Sequence, residues 1–303
     1  MTSSVSSGPA VPLKTLRRIS ELRDEVAGWR RDGESVAIVP TMGALHEGHL
    51  ELVRRARDRC AKVITTIFVN PIQFNRQDDL SSYPRDEASD AAKLSALGVD
   101  LLFAPPVEEV YPEGYQTRIS VPDLSDCLCG AARPGHMEGV ATVVAKLLLQ
   151  SLPDRAYFGE KDYQQLLVVR RMVRDLDVPV RIEAVPTVRE PDGLALSSRN
   201  LLLTPDQRAR APALFRVLRA LAARLEGGEV PAQAVLGEGR SELAAAGFEP
   251  IDYLELRSGD SLRPLERAEP SARLFAAASL GPVRLIDNLE IRPARGPAPQ
   301  RHG

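Results

Sequence analysis

A short apolar run, Val36–Val39, halts at Pro40 and is followed by Thr41-Met42-Gly43-Ala44-Leu45-His46-Glu47-Gly48-His49, after which a helical pattern begins. No other stretch limits the possible folds as much, because it demands a buried strand, a tight glycine-bearing loop and a helix in immediate succession. Gly43 and Gly48 let backbone approach a ligand closely, and a helix start aims unpaired N–H groups and a positive dipole end at the same place. The product is an anion-binding corner. At helical spacing His46 and His49 share one face, where two imidazoles could donate hydrogen bonds to a phosphate. The pair could also be half of a metal site, or polar groups at a helix start. A zinc hydrolase needs His-Glu-x-x-His, with a wider interval than this one, and the Gly-x-Gly-x-x-Gly dinucleotide fingerprint is absent, so a mononucleotide is the better match.

The same strand, loop and helix order recurs along the chain. Leu16, Ile19, Leu22, Val26 and Trp29 predict an amphipathic helix over Thr15–Arg31, stopped at Gly33. Val63–Asn70 is β-branched and nearly all apolar at its start, as suits a strand buried on both faces. A helix is expected over Pro84–Leu97, a third strand over Asp100–Ala104, a helical run over Val140–Gln150, a strand over Arg155–Phe158, a helix to about Leu176 and a strand over Val180–Val188. Such alternation is the mark of an open α/β sheet. Beyond about Glu190 the pattern changes to a long helix from Thr204 to Leu225, a second helix from Pro231, and strands near Ile251–Leu256, Arg273–Ala278 and Val283–Asp287. This predicts a smaller α+β domain, with domains at 1–189 and 190–303 and disordered tails at 1–12 and 292–303.

In open α/β sheets ligands sit at the carboxyl ends of the strands, which points to the loops. Asn70 and Gln73 follow the second strand, and an amide suits a substrate with hydroxyl and carboxylate groups, though Asn-Pro is also ordinary turn chemistry. Arg133 and His136 lie in a glycine-flanked loop that could clasp an anion or be a plain loop. Lys161 stands at a turn where a compact charge could follow phosphate oxygens, and Asp162 could cap the helix or meet a ribose hydroxyl. The Arg189–Asn200 loop, with hydroxyls at Ser197 and Ser198 and a cation at Arg199, has the composition of an anion-binding flap.

Composition removes other classes. With 39 basic against 41 acidic residues the formal charge is −2, which offers no general attraction to nucleic acid or an anionic membrane. Cys60, Cys127 and Cys129 are too few for a disulfide framework and fit a reducing cytoplasm. No apolar run approaches the roughly 20 residues that span a bilayer, and residues 1–12 lack the cationic and apolar regions of a signal peptide.

Taken in order, Pro40-Thr-Met-Gly43 with His46-Glu-Gly-His49, Phe68-Val-Asn-Pro-Ile-Gln73-Phe74, Arg133-Pro-Gly-His136, Gly159-Glu-Lys-Asp-Tyr-Gln-Gln165 and Ser197-Ser-Arg-Asn200 resemble the pantothenate synthetases, the pantoate–β-alanine ligases. The likeness spans Ala37–Arg208 and resumes at Val283–Asn288; the His-x-Gly-His element is shared with the wider nucleotidyltransferase-like superfamily. The resemblance implies a Rossmann-like parallel sheet with helices on both faces and a C-terminal lid. It implies ATP-dependent joining of pantoate to β-alanine through a pantoyl adenylate, with Mg2+ on the phosphates, no tightly bound organic cofactor, a homodimer and no nucleic acid partner. Matching positions imply ATP binding by Met42, Gly43, Ala44, Leu45, His46, Glu47, Gly48, His49, Gly159, Glu160, Lys161, Asp162, Val188, Leu196, Ser197, Ser198 and Arg199. They put Gln73 and Gln165 on pantoate, with Asn70, Arg133 and His136 as further substrate-site residues. The catalytic donors expected are His49, His46, Lys161, Ser197, Ser198 and Arg199; metal ligands are not implied, and Asp90 is a candidate. Met137 stands where the family often has phenylalanine and Leu202 where tyrosine is common, while Arg199 replaces the second lysine of the wider group's lysine-rich loop. A nucleotide sensor without turnover and a metal-dependent hydrolase remain as alternatives from other classes.

Overall fold

The computed structural model describes residues 13–75, 80–81, 83–226 and 230–292, so the expected tails, apart from Arg292, lie outside the described residues. The chain divides into two compact units, the first formed by 1–121, 133–160 and 168–188, the second by 122–132, 161–167 and 189–303. The change of pattern near residue 190 coincides with the last crossing between units, and two short earlier segments also group with the second.

The first unit is built on a parallel sheet in the order β1-β4-β3-β2-β5-β6. Its strands are β1 (Thr15–Leu16), β2 (Val36–Thr41), β3 (Lys62–Ile67), β4 (Leu101–Phe103), β5 (Arg155–Gly159) and β6 (Arg181–Val185). The central strands carry continuous apolar runs because helices cover them: Val36, Ala37, Ile38, Val39, Val63 and Ile64 are all fully buried. The crossovers include α1 (Ile19–Arg31), α2 (Glu47–Arg57), α3 (Glu87–Ala96), α4 (His136–Ser151) and α5 (Tyr163–Asp175). From β2 the chain proceeds to β3 and β4 on one side, then returns to place β5 and β6 on the other, so strand order reverses between β2 and β5. A ligand crevice forms at such a switch point. β2 pairs with β3 through Thr41, but its pairing with β5 is confined to Ala37 and Ile38, so the missing Pro40 N–H costs no β2–β5 hydrogen bond.

Two expected helix starts move. Thr15 and Leu16 are not helical but pair with Leu102 and Phe103 as a short edge strand, and the helix begins at Ile19 after Arg18, whose backbone N–H is capped by the Glu21 carboxylate at 3.3 Å. Pro84 does not open α3 either; Asp86 caps it by accepting from the Ser89 N–H at 3.0 Å, and this local acceptor outweighs the first-turn preference of proline.

The second unit holds an antiparallel sheet, β7 (Ile251–Ser258), β8 (Ala272–Leu280) and β9 (Val283–Glu290), in that order. Its core joins Leu254, Leu256, Leu274 and Leu285 to Leu214, Leu218, Leu221 and Val235 of two helices. The long helix expected from Thr204 to Leu225 is two, α6 (Pro205–Arg210) and α7 (Ala213–Leu225), since Pro212 lacks the N–H that would continue the ladder. A further helix, α8, spans Ala232–Ala245.

Candidate active site

The loop after β2 is fixed by a buried carboxylate. Asp90, 1% exposed, accepts from the Leu45 N–H at 2.8 Å through Oδ1, while Lys93 donates to the Leu45 carbonyl at 2.8 Å and reaches Asp90 Oδ1 at 3.4 Å. Gly43 has φ +82°, and a Cβ there would come within 3.2 Å of Asp90 Oδ2 and of Ile67. A side chain at this position would therefore be strained in backbone and crowded in space. Asp90 Oδ2 itself is buried and accepts no hydrogen bond among the described residues.

His46 is the N-cap of α2. Its Nδ1 accepts from the Gly48 N–H at 3.2 Å, and Nδ1 of His49 accepts from the His46 N–H at 3.4 Å, a reciprocal cap in which imidazoles take the places usual for Ser and Glu. Both contacts consume an Nδ1 lone pair, so in the neutral ring each proton resides on Nε2. The ring centroids are 4.1 Å apart. Two Nε2–H donors thus stand beside the positive end of a helix, and the spacing of three residues is what permits it.

A second cluster in the same unit surrounds Gln73, which is 8% exposed. Asn70 Nδ2 donates to Gln73 Oε1 at 2.9 Å and to the Gly139 carbonyl at 3.0 Å, Asn70 Oδ1 accepts from the Tyr111 hydroxyl at 2.8 Å, and Gln73 Nε2 lies 3.2 Å from Met42 Sδ. His136 Nδ1 donates to the Gln73 carbonyl at 2.8 Å, and its Nε2 lies 3.3 Å from Arg133. Because a guanidinium only donates, that Nε2 accepts and His136 is neutral. A Cβ on Gly139 would meet the Ile72 carbonyl at 2.6 Å and Gln73 Cα at 2.7 Å, so only glycine allows α4 to approach this turn. Arg133 and His136 therefore brace the Gln73 backbone.

In the second unit the expected residues are held mainly by side-chain struts. The Lys161 carbonyl accepts from Asn288 Nδ2 at 2.9 Å, Asn288 Oδ1 accepts from Arg273, and Arg273 stacks 3.8 Å from the centre of the Tyr163 ring. Lys161 Nζ is 3.9 Å from the Asp162 carboxylate. Asp287, 4% exposed, accepts two bonds from Arg189 at 2.6 and 2.8 Å, and Arg189 also donates to the Gly193 carbonyl and stacks 3.7 Å from the Phe215 ring centre. Ser197 caps the short 3-10 turn Ser198–Leu202 by accepting from the Arg199 N–H, and Asn200 donates to the Ala195 carbonyl. Ser198 is buried, while Val188, Leu196, Ser197 and Arg199 are half-buried.

The structure thus gathers Met42–His49 in one group and Asn70, Gln73, Arg133 and His136 in a second with Met42, both in the first unit; Lys161, Asp162 and Ser197–Arg199 belong to the second. Gln165 is half-buried on α5, whereas its neighbour Gln164 is spent on structure, accepting from the Cys129 N–H and donating to the Leu124 and Cys127 carbonyls. Sequence reasoning missed Tyr111, Asp287 and Asn288 as supports. Only the likeness at Val283–Asn288 hinted at the last two.

A strand-order switch, a glycine-bearing loop and paired imidazoles at a helix start define a nucleotide-using α/β enzyme with the His-x-Gly-His element. The family model for pantoate-beta-alanine ligase matches residues 14–290. The pantothenate synthetase of Cereibacter sphaeroides is 59% identical over 276 residues, covering 91% of this chain and 99% of that protein. Among solved structures, pantothenate synthetase from Thermus thermophilus superposes with a TM-score of 0.86 at 50% identity, over 93% of this chain and 100% of the other. Pantoate-beta-alanine ligase from Francisella tularensis, complexed with beta-gamma ATP and beta-alanine, gives 0.79 at 33% identity, over 94% and 100%. The chain belongs to the pantoate–β-alanine ligase family. It is an ATP-dependent carbon–nitrogen ligase that makes pantothenate from (R)-pantoate and β-alanine through an adenylate, releasing AMP and pyrophosphate.

Proposed function

We propose that His46 and His49 are the chief donors to the ATP phosphates in adenylate formation, and that Gln73 and Gln165 hold pantoate. The observation that carries this reading is the reciprocal imidazole cap, which fixes both rings at the start of α2 with each Nδ1 turned to the backbone. As the pantoate carboxylate attacks the α-phosphate, negative charge moves toward the departing pyrophosphate, and donors fixed in advance stabilise it without reorganisation. Met42–Leu45, Glu47 and Gly48 supply backbone around the nucleotide, as do Gly159, Glu160, Val188 and Leu196, with Asp162 on a ribose hydroxyl. Lys161, Ser197, Ser198 and Arg199 add donors to the phosphates. In the second step the β-alanine amine attacks the acyl carbon and AMP leaves; Asn70, Arg133 and His136 keep the Gln73 turn in place for both steps.

Mg2+ fits the first unit. It takes one or two carboxylates and keeps phosphate oxygens and waters, so a dedicated cage is unnecessary, and no cluster of three or more His, Cys, Asp or Glu is found among the described residues. Asp90, whose Oδ2 is buried and unpartnered among those residues, would hold the ion, which when bound supplies charge neutralisation at the phosphates. Three free cysteines favour a reducing cytoplasm, and no helix among the described residues is long and apolar enough to cross a membrane. The family resemblance favours a homodimer, which light scattering on the purified protein tests.

The roles of the cations are tested by dividing the reaction. Lys161→Ala and Arg199→Ala should each slow adenylate formation strongly and less than additively when combined, because both serve one charged group. Supplied with preformed pantoyl adenylate, the variants should convert it with β-alanine at close to the parent rate in single turnover. A large defect in that second half-reaction would show that the two residues organise substrate binding as a whole.

A further inference from the structure

We propose that Tyr111, acting through Asn70, is a positioning residue that helps to keep the Gln73 amide in one orientation, so that Gln73 meets pantoate with N–H donors and selects an oxygen acceptor. The inference rests on the reading that Gln73 holds pantoate.

The Gly139 carbonyl can only accept, so the Asn70 atom 3.0 Å from it is the NH2 group, and the other Asn70 atom, 2.8 Å from the Tyr111 hydroxyl, is the carbonyl oxygen. That oxygen can only accept, which makes the Tyr111 hydroxyl the donor. The second Asn70 N–H then points at Gln73, and the Gln73 atom 2.9 Å away must be Oε1. With Oε1 committed, Nε2 faces elsewhere and lies 3.2 Å from the weak acceptor Met42 Sδ. The Gly139 carbonyl fixes Asn70 from its nitrogen side, the phenol adds the donor that holds its oxygen side, and Asn70 in turn orients Gln73.

Tyr111 is well placed to hold that end. Its ring lies 4.9 Å from Tyr115 and 6.0 Å from Phe68 between centroids, and Lys146 Nζ stands 5.7 Å from it and 4.6 Å from Tyr115. Burial pushes the phenol above its ordinary range, so the hydroxyl keeps its proton at neutral pH. Asn70 is 1% exposed, where water cannot replace a lost donor cheaply. Without the hydroxyl the buried Asn70 oxygen loses its donor and Asn70 is held by the Gly139 carbonyl alone, so the Gln73 amide is held less firmly.

Tyr111→Phe removes that oxygen and retains the ring. Measured well below each variant's thermal transition, its KM for pantoate should rise about tenfold, with the KM values for ATP and β-alanine near those of the parent. Its preference for pantoate over an analogue bearing an ammonium in place of a hydroxyl should fall, because a Gln73 amide held less firmly can turn its carbonyl toward a donor. A merely structural defect would not move that ratio. In a Gln73→Ala background, Tyr111→Phe should add nothing. If Gln73→Ala raises the pantoate KM while Tyr111→Phe changes neither KM nor the ratio, the relay is refuted and the role of Gln73 survives; an equal Tyr111→Phe cost in both backgrounds refutes it too. An unchanged pantoate KM in Gln73→Ala would overturn the substrate assignment itself, and the relay with it.

Discussion

The two units hold their polar groups by different means. In the first, the histidine donors are fixed by neighbours in sequence: His46 caps the helix it begins, and His49, three residues on, closes the cap from within the first turn. In the second, Lys161 is anchored through its carbonyl by Asn288, and the Arg189–Asn200 loop by Asp287, side chains more than ninety residues away along the chain. A local device can lose a side chain and keep its backbone. A strut between distant segments carries stability and geometry together, so its removal should damage both.

Replacing His49 by Ala is the sharpest way to break this contrast. One fixed donor to developing phosphate charge is lost, and adenylate formation should fall by about 10²–10³-fold while the thermal transition scarcely moves, since His49 is only half-buried at a helix start. Stopped-flow pyrophosphate release and calorimetry on one preparation check both halves; unchanged turnover at saturating ATP would sink the assigned role.

Asp287→Ala should show the opposite balance. It leaves the Arg189 guanidinium, 18% exposed in its side chain, without its carboxylate, and breaking a buried pair in this way costs about 3–5 kcal/mol. The expected result is a large fall in the stability of the second unit by urea titration, with activity lost in step. If stability holds and only turnover falls, the strut account of the second unit is wrong.

A smaller effect refines the comparison at the loop's edge. Asp192 pairs with Arg208 at 2.6 Å, with side chains 40% and 36% exposed, and the hydrogen bond from Arg208 chiefly holds the Asp192 carboxyl below its usual range. A lowered folded value means the pair stabilises above the ordinary carboxylate pKa and is lost as pH falls through the folded value. Solvent screening limits it to under about 1 kcal/mol. Asp192→Asn should therefore melt slightly below the parent at pH 7, and the gap should close on acidification below pH 4; a gap that persists there would assign the effect to something other than the charge.

Much of the first unit could be read from local pattern. Continuous apolar runs gave strands buried on both faces, and the His46–His49 interval placed both rings on one side of a helix turn. The edge strand Thr15–Leu16 was hidden because its helical periodicity continues into α1, and only pairing with Leu102 and Phe103 takes it out of the helix. The break at Pro212 was in plain view but masked by apolar spacing on both sides of it.

Tyr111 and Asp287 gave no local signal at all, since an isolated tyrosine after an acidic turn and an aspartate in a strand have many ordinary uses. By itself the sequence determined most of the order of strands and helices, the anion corner and, through its ordered motifs, the family and reaction, because these depend on spacings of a few residues. Tertiary structure alone decided that Asn70 faces Gly139, that Tyr111 donates to Asn70, and that Asp287 and Asn288 brace loops far back in the chain. Hydrogen bonds of a few ångströms join groups there that sequence leaves 41 to 127 residues apart, and only packing sets which donor meets which acceptor.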